Sequence, residues 1–275
     1  MEKIDTVGDM TTTSLMPVGF VGHGSPLNAL EKDGAPLAWS RWAQTLPRPK
    51  AVVVVSAHWL ERPVHIGPNQ KAPQIYDFYG FPDELYQVQY NAEASLELSK
   101  EVFGLLSGAG LKPIESRQRG LDHGAWVPLL HMFPQGDVPI LEVSLGTRVP
   151  MGEHLALGRA LAPLREQGVF ILGSGNIAHN LRAANYGDRE ATPAGWAKAF
   201  DDWAVEQLTN FNLEALADYK RAPGGHLSVP TDDHYTPFLV AASAASVAGT
   251  PKVTFPHVGF EYETLSMRCV EFKNI

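Results

Sequence analysis

Five of the ten histidines sit where a chain collects chemistry. The stretch MPVGFVGHGSPLNAL (16–30) reads as a first strand running out into a loop that carries His23, and AVVVVSAHW (51–59) is an apolar, β-branched run ending at His58. Groups just past the carboxyl ends of strands gather in the crevice where α/β sheets bind ligands. A strand–helix–strand crossover needs about 30 residues, and the stretch between the two histidines supplies it, so both imidazoles can face one pocket. Neutral imidazole binds iron, copper, nickel and zinc, whereas magnesium and calcium prefer oxygen. The pair therefore reads as the first two ligands of a mononuclear metal centre.

Three more imidazoles have comparable settings. His179 stands at the mouth of a third strand-then-loop unit, VFILGSGNIAHNL (169–181); His123 lies among the turn residues Asp122 and Gly124; His234 lies at a loop-to-helix junction. A site with three protein ligands keeps positions open for substrate or dioxygen. Imidazoles left over titrate near working pH and suit acid–base work. His65, His131, His154, His226 and His257 lack such settings.

The elements that must position these groups alternate between strand and helix. PLAWSRWAQTL (36–46) has apolar residues at helical spacing and is closed by Pro47 and Pro49. A short strand is predicted near Val64–Ile66, and a helix capped by Asn91 over EASLELSKEVFGLLSGAG. WVPLLHMF forms a short helix, VPILEVSLG (138–146) a buried strand, and Gly152–Gly168 an amphipathic helix. Helices follow over Trp196–Leu208 and TPFLVAASAASVAG, and KVTFPHVGF with TLSMRCVEF closes the sheet as a hairpin. Residues 68–90, rich in aromatics and proline, form a lid, a pocket wall, or a cluster covering the sheet edge. The fold class is α/β: a flexible lead-in over 1–15, then one three-layer α/β/α domain over 16–275 around a mixed, mostly parallel sheet.

Composition narrows the function. With 275 residues, a net charge of −8 and no basic stripe, the chain is unsuited to nucleic acid. Cys269, the single cysteine, excludes an intrachain disulfide and a thiolate zinc cluster, and reads as a buried structural thiol. The N-terminal stretch lacks the apolar core of a signal peptide, and no apolar run approaches the ~18 residues of a membrane span, which predicts a cytoplasmic protein. GSGNIA (173–178) fits the dinucleotide pattern GxGxxA, but no acidic strand end follows about 20 residues on. Its glycines suit a tight turn beside a metal or substrate. Neither Ser25 nor Ser174 sits in a G-x-S-x-G elbow.

GHGSPLN (22–28), SAHW (56–59), IYDFYGFPDELY (75–86), LDHGAW (121–126), GSGNIAHNL (173–181) and DDHYTPFL (232–239) occur in the order found in the class III extradiol ring-cleavage dioxygenases. The sequence resembles in particular their 4,5-DOPA extradiol branch. The resemblance implies a non-haem metal, Fe(II) for activity with Zn(II) possible in its place, and a catechol substrate opened with O2 beside its two hydroxyls to a muconic semialdehyde. It implies His23 and His58 as metal ligands, His179 as the acid/base, and His123 as a second pocket histidine touching a substrate oxygen, with Ser25 of GHGSP beside the substrate. Many extradiol enzymes complete the set with a glutamate; here the matching place offers His234, with Asp233 or Glu261 as alternatives. The same ligands would also support a zinc hydrolase, or a binding module without turnover.

Overall fold

The computed structural model describes residues 15–274 except 69, 72 and 73. The lead-in expected over 1–15 lies, apart from Leu15, outside the described residues. The strands are β1 (Val18–Gly22), β2 (Ala51–Glu61), β3 (His65–Gly67), β4 (Ile114–Glu115), β5 (Ile140–Gly146), β6 (Val169–Gly175), β7 (Lys252–Thr254), β8 (Phe260–Glu261), β9 (Leu265–Ser266) and β10 (Val270–Lys273). The helices are α1 (Gly34–Thr45), α2 (Leu96–Gly108), α3 (His123–Met132), α4 (Met151–Leu161), α5 (Gly195–Thr209), α6 (Leu213–Ala217), α7 (Gly225–Ser228) and α8 (Thr236–Ser246).

Eight strands form one sheet in the order β4-β3-β5-β2-β6-β1-β10-β7, and β8 with β9 makes a separate ribbon. The central four, β5, β2, β6 and β1, run parallel, while β3 and β10 are antiparallel to their inner neighbours. A parallel strand covered on both faces must be apolar throughout, and Val52–Val55 alternate between two buried clusters. Val53 and Val55 pack in the cluster that takes in Leu157 of α4 and Phe238 of α8. Val52 and Val54 pack in the cluster that takes in Trp39 of α1 and Trp126 of α3. This is the three-layer α/β/α sandwich read from the sequence.

Several boundaries differ from that reading for local reasons. Asn91 does not cap α2; the Oγ of Ser95 accepts from Leu98 N–H instead, and the helix starts at Leu96. The run to Gly168 is not one α-helix: it tightens to 3-10 geometry over Ala162–Gln167, where Pro163 cannot donate to the ladder, and stops at Gly168 with φ +82°. Asp122, His123 and Gly124 are not a free turn. Asp122 caps α3 through a bond from Ala125 N–H, and His123 opens the first turn. The closing hairpin forms as β7 against β10, and Cys269 beside it is buried, its thiol pushed up to about 12 by burial.

Candidate metal centre and active site

The register of the central strands brings their ends together. Gly22 of β1 pairs with Gly175 of β6, and Ser56 of β2 pairs with Ser174. His23 follows the first directly. His58 lies within an irregularity of β2, where pairing with β5 slips between Val55 and Leu60; bulges of this kind re-aim side chains at the rims of sites. The Nε2 atoms of His23 and His58 approach to 3.0 Å. Two nitrogens bound at ~2.1 Å to one ion, at right angles, stand about 3.0 Å apart. The spacing suits a single shared ion.

The tautomer of His23 follows from its neighbours. Ser174 Oγ donates its proton to the carbonyl of Gly124 at 2.5 Å, so its contact with His23 Nδ1 at 3.0 Å is an acceptance. His23 thus carries its proton on Nδ1 and presents a bare Nε2. The Gly124 carbonyl is available because Pro128, inside α3, has no N–H to return to it. Asn28 completes the support by donating to the His23 carbonyl at 3.0 Å.

The other three imidazoles converge on this pair. One donor nitrogen from each of His23, His58 and His123 falls in a group within 4.8 Å. The His234 ring lies 4.9 Å from that of His58 and 5.4 Å from that of His23, centre to centre. His179 stacks on His234 at 3.5 Å and 5° between planes. The backbone of His234 reaches this place only because Gly175 has no side chain: a Cβ there would stand 2.1 Å from the His234 carbonyl oxygen. Asn176 N–H donates to that same oxygen at 2.9 Å. The glycines of GSGNIA therefore serve close packing, and the segment after β6 continues without a helix, which removes the dinucleotide reading.

Carboxylates orient the imidazoles, and Asp233, an alternative third ligand by sequence, is one of them. Asp233 Oδ2 accepts from His234 Nδ1 at 2.7 Å, leaving Nε2 of that ring free. Asp77, in the aromatic segment 68–90, accepts from His123 N–H at 2.9 Å and lies 3.0 Å from His123 Nδ1. Burial alone would raise the Asp77 carboxyl, but bonding and charge from His123 and His58 hold it at about 2. Asp233 is thus a partner of an imidazole, and Glu261 is engaged with Arg189 at 2.7 Å. The contact made by Asp77 spans the chain, so the sequence signalled it only as an aspartate among aromatics.

Burial pushes His58 and His179 down to about 4, and pushes His23 and His234 well below their ordinary value of 6.5, with further lowering from neighbouring imidazoles. Near neutral pH these four are lone-pair donors, the state metal binding requires. The linkage has a definite sign. An unfolded chain protonates these side chains near 6.5, whereas the fold resists until about 4, so stability falls as pH drops through that window. Denaturant titration of the metal-free protein is expected to show a loss on the order of several kcal/mol between pH 7 and pH 5. A flat profile would contradict the burial of the cluster.

Beside His179 opens a cavity of about 400 Å³, walled by Ser25, Phe81, Leu181, Tyr186, Tyr262 and Leu265 among others. Ser25 also accepts from Leu27 N–H at 3.3 Å, which fixes the turn after His23. The segment 68–90 does two jobs: Gly80, Phe81 and Pro82 line this cavity, while Tyr76 and Phe78 pack on the buried cluster around Trp126.

Buried neutral imidazoles at strand ends, oriented by carboxylates and facing an organic-sized cavity, define a non-haem metalloenzyme. Residues 33–272 match the family described as the catalytic LigB subunit of aromatic ring-opening dioxygenase, and the chain belongs to that family. It is an aromatic ring-opening dioxygenase of the extradiol type, an oxidoreductase. The 4,5-DOPA dioxygenase extradiol of Escherichia coli K12 is 37% identical over 263 residues, covering 94% of this chain and 96% of that one. The enzyme of the same description from Beta vulgaris is 38% identical over 232 residues, covering 82% and 85%. A crystal structure of an uncharacterized protein from Escherichia coli K12 superimposes with a TM-score of 0.79 at 34% identity, covering 93% of this chain and 99% of that one. The hydrolase and binding-module alternatives are not favoured by these likenesses. Among the described residues no helix is long and apolar enough to cross a membrane.

Proposed function

We propose that the enzyme opens catechols such as DOPA at the 4,5 position with O2, using Fe(II) held by His23, His58 and His234. The reading is carried by one observation: five imidazoles, three of them buried and two half-buried, meet at the strand ends beside a cavity that fits a substituted ring. The relatives described as 4,5-DOPA dioxygenases support the substrate class. Bound there, the ferrous ion would supply the electron path between a chelated ring diol and dioxygen. The remaining work belongs to the chain. His179, neutral and facing the cavity, takes the second phenolic proton and returns it when the ring opens. His123, steered by Asp77 beside its Nδ1, contacts a substrate oxygen, and Ser25 lines the approach. The product is a muconic semialdehyde, which cyclises spontaneously when it comes from DOPA.

Anaerobic loading with Fe(II), followed by DOPA, caffeate or protocatechuate and then O2, is expected to give a yellow product with one O2 consumed per ring. Absence of product across all three would overturn the proposal. His179→Ala is expected to keep its iron and lose 10²–10⁴-fold in kcat.

A second reading of the third ligand has its own support, since the donor atoms of His23, His58 and His123 form the compact group. Metal content separates the two. His234→Ala is expected to lose iron while His123→Ala retains it and turns over poorly; the reverse pattern gives the third place to His123.

A further inference from the structure

A second cavity, of about 530 Å³, opens where β2 and β5 end at Glu61 and Gly146. The turn after α2 and the first turns of α4 close it, and it shares no lining residue with the cavity beside His179. Its volume falls within the roughly 300–1,000 Å³ of small-molecule sites. Val64, Leu111, Val149 and Leu157 give it apolar walls. Arg62 and Lys112 line it as well, and neither meets a carboxylate within salt-bridge distance among the described residues. Arg62 spends one donor on the Arg148 carbonyl at 3.3 Å and keeps the others.

Donors without acceptors border this space. Helix α4 begins after Pro150, an N-cap with no side-chain acceptor, and the first N–H groups of a helix have none inside it. Those of Met151 and Gly152 are left over, and Gly152 lies on the cavity wall. His154, in the same turn, is 5% exposed and lines the same wall, and neither ring nitrogen has a hydrogen-bond partner among the described residues. Buried polar groups are nearly always paired, so an unpaired one calls for a ligand. Burial lowers the His154 pKa against the pull of Asp232 and Glu153, so near neutral pH the ring is uncharged and offers one N–H. Glu61 and Glu153 also line the cavity, but among the described residues they and His154 do not gather donor atoms into a metal-sized group.

We propose that this cavity binds a small organic carboxylate outside the ring-opening site, its oxygens taken by the N-terminus of α4, His154 and Arg62. A helix N-terminus favours an anion through its dipole and its free N–H groups. A guanidinium adds a charge-assisted bond, and the apolar walls reward a hydrocarbon body over a bare inorganic ion. Glu61 and Glu153 oppose a second negative charge, which favours a monocarboxylate over phosphate.

The test is calorimetry on the metal-free protein with cyclohexanecarboxylate, cyclohexanecarboxamide and inorganic phosphate. The carboxylate is expected to bind at least tenfold tighter than either of the others. Gly152→Glu sets a fixed carboxylate at the helix start, and a Cβ there meets nothing within 4 Å, so the fold accepts it. This variant is expected to lose binding with no fall in Tm, and Arg62→Ala to weaken it about tenfold. His179→Ala is expected to bind as the wild type does. No heat from the carboxylate, equal binding of the amide or phosphate, or undiminished affinity in Gly152→Glu would each overturn the inference. So would loss of binding in His179→Ala, which would move the ligand to the ring-opening site. Failure of the ring-opening assay would leave this result untouched, since neither catechol nor iron enters the titration.

Discussion

Replacing His23 with alanine is expected to empty the metal site and to lower kcat/KM at least a thousandfold, about 4 kcal/mol of transition-state stabilisation. The size of the effect comes from the central place of this ring. Its Nε2 meets that of His58 at 3.0 Å, and its centroid lies 5.4 Å from those of both His123 and His234. No other group can replace it, because the strand end that supplies it is bounded by glycines. A side chain at Gly22 would stand 2.7 Å from the backbone of Met267, and Gly24 has φ +60°. Loss of the ring is not expected to unfold the protein, since a buried imidazole that resists protonation adds nothing to stability in acid. The acid-induced loss between pH 7 and 5 should in fact shrink in this variant. Metal analysis after dialysis against Fe(II) or Zn(II) checks the first expectation and denaturation at both pH values checks the second. Full metal occupancy in His23→Ala would remove His23 from the ligand set.

Which parts of this arrangement a reader could see in the sequence depends on the range of the interactions involved. The β2 run of valines announces a strand covered on both faces, and an imidazole at its end announces a site, because both signals are local. The meeting of His23 and His58 was legible once a parallel crossover was assumed, since strand order then places their ends side by side. What stayed hidden is set by long-range contact. Asp77 reaches His123 across 46 positions of chain. The Ser174 hydroxyl bridges His23 and Gly124, on three separate elements. Pro128 reads in isolation as a flaw in a helix, yet it frees the carbonyl that fixes the His23 tautomer. Helix α6 was not anticipated, being five residues long and without a periodic stripe. Asn91 and Ser95 are both good caps by type; the choice between them falls to packing, where Leu98 and Val102 must turn inward.

Asp122→Ala is expected to destabilise the protein by about 3 kcal/mol, because it strands a guanidinium and removes a helix cap together. For a chain of this size that is a fall in Tm of roughly 6–12 °C. Asp122 is wholly buried, and its Oδ2 accepts from Arg119 at 2.9 Å. Its Oδ1 accepts from Ser56 Oγ at 2.7 Å and from Ala125 N–H at 3.2 Å. The damage reaches the site because the same partners clamp the irregular part of β2. Ser56 Oγ accepts from His58 N–H at 3.2 Å, and Arg119 donates to the His58 carbonyl at 3.3 Å. One carboxylate therefore fixes both the strand end that carries His58 and the helix start that carries His123. Metal affinity should fall 10–100-fold, as it does when groups that orient ligands are removed. Asp122→Asn separates the two roles, since an amide oxygen still accepts from Ala125 N–H but no longer balances Arg119. Its stability should lie between wild type and Asp122→Ala, with metal affinity close to that of the alanine variant. If both variants bound metal as tightly as wild type in a chelator competition, the carboxylate would matter to the fold alone.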